Sequence, residues 1–146
     1  MFLLATLVTM AASAAENDGV DWATEYADQA VAHQKMNIEL KCGYSEERWH
    51  TDVNGHKLFA ETVDKATAEA ENKVREIAIT QCRDAWQYAE RGVSQNEENI
   101  RRGCGKTGDM WHSDKLSHFR WAMQQTHYKI AIHDQYRRFS LSLCES

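Results

Sequence analysis

Residues 26–82 align on residues 88–144 without a gap, at an offset of 62 (88 − 26), and 14 of the 57 paired positions are identical. Ordinary composition gives roughly 4 such matches by chance. The identities include Tyr26/Tyr88, Asn37/Asn99, Cys42/Cys104, Gly43/Gly105, Trp49/Trp111, His50/His112, Asp52/Asp114, His56/His118, Arg75/Arg137 and Cys82/Cys144. All four cysteines fall in this set, as do two Trp-His-x-Asp-x-x-x-His runs. A fixed period of this size marks a supersecondary unit used twice, each copy covering an apolar face of the other.

The unit is helical. The chain has no proline, and glycine is absent from 20–42, 56–91 and 118–146. Such stretches permit long helices. Apolar residues recur at steps of three and four: Phe59, Val63, Ala66, Ala70, Val74, Ile77 in one segment, and Trp121, Tyr128, Ile132, Tyr136, Phe139, Leu143 in its counterpart. Both stripes fit one face of an α-helix and read as core. Each repeat is then helix, loop, helix, with loops at 42–55 and 104–117. The expected fold is all-α: a tandem αα-hairpin repeat forming an antiparallel four-helix bundle, or an elongated form around one long central helix. Asp21 and Asp84 read as N-caps. If the helix does not break at Asp84, the central helix runs from 57 to 102.

Residues 2–15 are uncharged and mostly apolar, ending in Ser13-Ala14-Ala15. They read as a signal peptide, leaving 16–146 as one domain. The stretch is shorter than the ~20 residues that span a bilayer, so no stable membrane insertion is expected after cleavage. The expected location is periplasmic or secreted. The net charge is −5 with no basic stripe, which argues against nucleic acid as a partner.

Four cysteines in an exported chain read as two disulfides. In an up-down bundle, Cys42 and Cys104 close one end and Cys82 and Cys144 the other, so the expected pairs are Cys42–Cys104 and Cys82–Cys144. A straight helix between the loop and Cys82 would hold Cys42 and Cys82 apart.

The duplicated loop admits three uses. His50, Asp52, His56, His112, Asp114 and His118 are candidate ligands for Zn or Cu. Alternatively Asp52 and Asp114 cap the second helices, His56 and His118 bond backbone carbonyls, and the tryptophans pack beneath the loops. Third, Trp49 and Trp111, with Arg48, His56 and His118, are candidate binding residues for a glycan or protein partner. His127 and His133 read as solvated. Gly105-Lys106-Thr107 lacks the glycine and the strand of a phosphate loop. No activated nucleophile is apparent, so the chain reads as a binding module and not an enzyme.

The run Tyr88-Ala89, Gln95-Asn96-x-x-Asn99, Cys104-Gly105, Trp111, His118-x-x-Trp121, Cys144 resembles a small secreted bacterial tandem repeat of unassigned function. The resemblance covers 88–144 well and 26–82 weakly. That pattern carries a further cysteine after its second tryptophan, where this chain has Ala122 and, in the first unit, Ala60. Against the resemblance, the loop cysteines lack their usual partner, which supports their turning to each other.

Overall fold

The computed structural model describes residues 21–144; the expected signal peptide lies outside them. The described chain is all-α. Its five helices are α1 (Trp22–Glu39), α2 (Val53–Thr62), α3 (Lys65–Arg102), α4 (Lys115–Met123) and α5 (His127–Ser142). The elongated form of the expectation describes the molecule: α3 has 38 residues, about 57 Å at 1.5 Å per residue. Asp84 lies inside α3 and caps nothing. Residues 65–82 complete the first repeat and 84–102 open the second.

Each helix start has a side-chain acceptor. Asp21 takes the Ala23 amide, Asp52 that of Asn54, Asp64 that of Thr67, Asp114 that of Ser117 and Thr126 that of Lys129. These caps satisfy amides that a helix leaves unpaired. Asp64 and Thr126 are 62 apart, so both repeats interrupt their second helix at the same place. α3 closes on Gly103, left-handed at φ 66°; its counterpart Lys41 adopts φ 54° without being glycine.

These interruptions overturn the expected disulfides. The observed pairs are Cys42–Cys82 and Cys104–Cys144, with Cα atoms 5.7 and 5.4 Å apart. From Cys42 the loop runs back along the unit. Its Arg48 carbonyl meets Arg75, and His56, four residues past Asp52, packs on Tyr26. After the bend at Val63–Asp64, α3 climbs parallel to α1. Asn72 bonds the Tyr26 carbonyl near the bottom and Trp86 the Leu40 carbonyl near the top. Cys82 thereby arrives beside Cys42. A helix unbroken from the loop to Cys82 excludes that pairing; the break at Val63–Asp64 permits it.

The apolar stripes are also corrected. Ala66, Ala70, Val74 and Ile77 face out, as do Tyr128, Ile132, Tyr136, Phe139 and Leu143. The inward faces carry Ala68, Asn72, Arg75, Ile79 and Cys82 on α3, and Ile130, Asp134, Arg137 and Leu141 on α5. Half-polar inner faces, hydrogen-bonded except for one buried guanidinium nitrogen of Arg137, give a weaker hydropathy signal than the outer ones. One core joins the repeats: Cys42, Trp49, Ile79, Cys82, Ala85, Tyr88, Phe119, Ala122 and Ile130 pack together. Trp86 stacks on Phe119 with ring centroids 4.0 Å apart at this junction.

Candidate functional site

The duplicated loop builds the same local object twice. The backbone N–H of Asp52 donates to His50 Nδ1 at 3.2 Å, which fixes that nitrogen as the unprotonated one. His56 Nε2 donates to the His50 carbonyl at 3.1 Å. The two imidazoles stack, centroids 3.8 Å apart and planes 9° from parallel. In the second repeat the Asp114 amide donates to His112 Nδ1 at 3.2 Å and His118 Nε2 to the His112 carbonyl at 3.0 Å. The rings stack at 3.9 Å and 10°. Burial holds His56 and His118 below the ordinary imidazole range. Gly92 makes room for this packing, since a Cβ there would lie 3.1 Å from the His118 ring.

Beneath each pair lies a Tyr–Arg couple. Tyr26 meets His56 edge to face at 6.2 Å, and Tyr88 meets His118 at 5.9 Å. Arg75 donates to the Tyr26 hydroxyl at 3.0 Å and Arg137 to that of Tyr88 at 2.8 Å. Both guanidiniums are buried, at 2% and 0% exposed, and among the described residues neither has a carboxylate partner. Arg75 also bonds the Arg48 carbonyl and Asn72, while Arg137 bonds Gln95. Each guanidinium lies over its tyrosine ring, at 5.4 and 4.6 Å.

A cleft opens over each tyrosine and its histidine pair; Arg75 lines the first, whereas Arg137 is buried behind the second. The first encloses about 470 Å³ between Tyr26, His50, His56, Phe59, Glu71 and Arg75, with Glu46, Glu47 and Arg48 at its rim. The second encloses about 490 Å³ between Tyr88, His112, Ser117, His118, Trp121 and His133, with Asp109 and Met110 at its rim. Eight lining positions correspond at the offset of 62: Tyr26/Tyr88, Glu47/Asp109, Arg48/Met110, His50/His112, Gly55/Ser117, His56/His118, Phe59/Trp121 and Glu71/His133. The floors are alike and the walls differ. Acidic Glu71 becomes His133, which stacks on Trp121 at 4.2 Å. Reading His133 as solvated is therefore corrected: it forms a cleft wall, and burial lowers its pKa with Arg137 and Lys129 adding to the effect.

The expected site residues separate. Arg48, His50 and His56 come together at the first cleft, His112 and His118 at the second. Trp49 is buried under its loop, stacked on Tyr44 at 4.8 Å, and lines neither cleft. Trp111 is half-buried. Asp52 and Asp114 serve as helix caps, and His56 Nε2 and His118 Nε2 are committed to carbonyls. Among the described residues, no three His, Cys, Asp or Glu side chains converge as a metal would require. Sequence reasoning missed Tyr26, Phe59, Glu71, Arg75 and their counterparts. Tyr26/Tyr88 and Arg75/Arg137 were visible as repeat identities.

The chain matches no protein-family model, no curated protein and no solved structure.

Proposed function

We propose that this is an exported binding module in which each repeat presents one cleft to a ring of a cell-wall glycan. The observation that carries the reading is the pair of clefts at equivalent positions, each with an aromatic wall beside a tyrosine and a stacked histidine pair. Their volumes fall within the ~300–1,000 Å³ common for small-ligand sites. Tyr26 with Phe59, and Tyr88 with Trp121, offer apolar faces for the C–H side of a sugar ring. The Glu and Arg rim of the first cleft supplies hydroxyl partners. Support for export comes from the two disulfides, which suit an oxidising compartment, and from the apolar leader. All described cysteines are bridged, and His50, His56, His112 and His118 are held in fixed hydrogen bonds, which favours binding without catalysis.

Isothermal titration with a soluble cell-wall glycan fragment of N-acetylated amino sugars tests the reading. The double variant Phe59→Ala, Trp121→Ala should bind about tenfold more weakly, given ~0.5–1.5 kcal/mol per aromatic contact. Absence of any heat with the unaltered protein contradicts a glycan ligand.

A further inference from the structure

We propose that the outer face of α5 is a self-association surface that pairs two copies of this chain. Tyr128, Ile132, Tyr136, Phe139 and Leu143 lie on the side of α5 opposite its core residues Ile130, Asp134, Arg137 and Leu141. They are 42–76% exposed. From Ile132 onward the spacing is four, three, four, the seam of a helix that packs on another helix.

The repeat shows that this face is not a requirement of the fold. At an offset of 62 the corresponding α3 residues are Ala66, Ala70, Val74, Ile77 and Gln81. The internal caps, disulfide and Tyr–Arg couple are kept in both units, yet here every residue of the second unit is larger or more apolar. Folding gains nothing from placing two tyrosines and a phenylalanine in water.

The area and the flanks favour a second copy as the occupant. At about 200 Å² for each large side chain, the five exposed fractions offer at most roughly 600 Å². Two copies bury up to about 1,200 Å² between them, enough for a specific dimer. The flanking positions are Gln135 and Ser142 on one side and Lys129 and His133 on the other, so no like-charge block opposes self-pairing. The single flanking lysine is fewer than a membrane-surface helix carries. The stripe is also self-complementary. An antiparallel two-fold placed beside Tyr136 sets Ile132 against Phe139 of the second copy, and Tyr128 against Leu143.

Light scattering on the full chain, at about 100 μM and so above a micromolar dissociation constant, tests this directly. The expected mass is twice the 16.8 kDa of one chain. The double variant Tyr136→Glu, Phe139→Glu should halve it with unchanged helix content. The matched change in the first unit, Val74→Glu with Ile77→Glu, should leave the dimer intact. A monomeric unaltered protein overturns the proposal, as does a dimer that survives the α5 change. A monomer that cosediments with phosphatidylcholine vesicles, and loses that property in the α5 variant, assigns the face to a membrane and also overturns it.

Discussion

Arg75 donates from Nη2 to the hydroxyl of Tyr26 at 3.0 Å across 49 residues of sequence, and Arg137 repeats the contact to Tyr88. A fully desolvated guanidinium needs acceptors, because the attraction of water has been given up. Tyr26→Phe keeps the ring and removes one acceptor. It should cost about 1–2 kcal/mol in urea unfolding, the usual effect of stranding a buried donor. An unchanged midpoint means the hydroxyl bond contributes nothing.

The disulfides give a second expectation. Peptide mapping without reduction should recover Cys42 joined to Cys82 and Cys104 joined to Cys144. Each bridge closes a separation of 40 residues, so replacing either pair by alanine should cost about 2–4 kcal/mol. A Cys42–Cys104 fragment would refute the parallel arrangement of α1 and α3.

Two neighbours on α5 separate its faces. Ile130 is 7% exposed and Ile132 is 42% exposed. Ile130→Asp should cost about 3–4 kcal/mol by burying an unpaired charge. Ile132→Asp should change thermal stability little at concentrations too low for association. Equal losses would return Ile132 to the core.

Much of the fold was legible in sequence. The helical class, the caps at Asp21, Asp52 and Asp114, and the carbonyl bonds of His56 and His118 follow from residue type and spacing. What escaped has a common cause. Asn72, Arg75, Asp134 and Arg137 face inward, so hydropathy pointed to the outer stripe. The bend at Val63–Asp64 carries no proline or glycine, and its one local signal is the capping aspartate Asp64. With the second helix drawn straight, the disulfides followed wrongly. The clefts were half legible: His50, His56 and Arg48 were singled out, while their aromatic walls were assigned to the core.

Stability should depend on pH in a stated direction. Burial lowers the pKa of His33, His56, His118 and His133 in the folded chain. The unfolded chain takes up protons first, near pH 6.5, so it binds more protons than the folded one below that point. Stability is therefore full above about pH 7 and falls as pH drops through 6.5, levelling below the folded pKa values. The carboxylates Asp21, Asp64, Glu76 and Asp114, held low by hydrogen bonds, act only in more acidic solution. Melting temperatures measured from pH 8 to 5 should decline. A flat profile is incompatible with burial holding His56 and His118 neutral.

Binding through equivalent clefts in both repeats has a direct spectroscopic signature. Amide chemical shifts of the isotopically labelled protein, followed during titration with a soluble amino-sugar glycan fragment, test it most directly. Two sets of saturable shifts are expected, one around Tyr26, Gly55 and Phe59, the other around Tyr88, Ser117 and Trp121. Shifts confined to the outer face of α5, or no shifts at all, would contradict it.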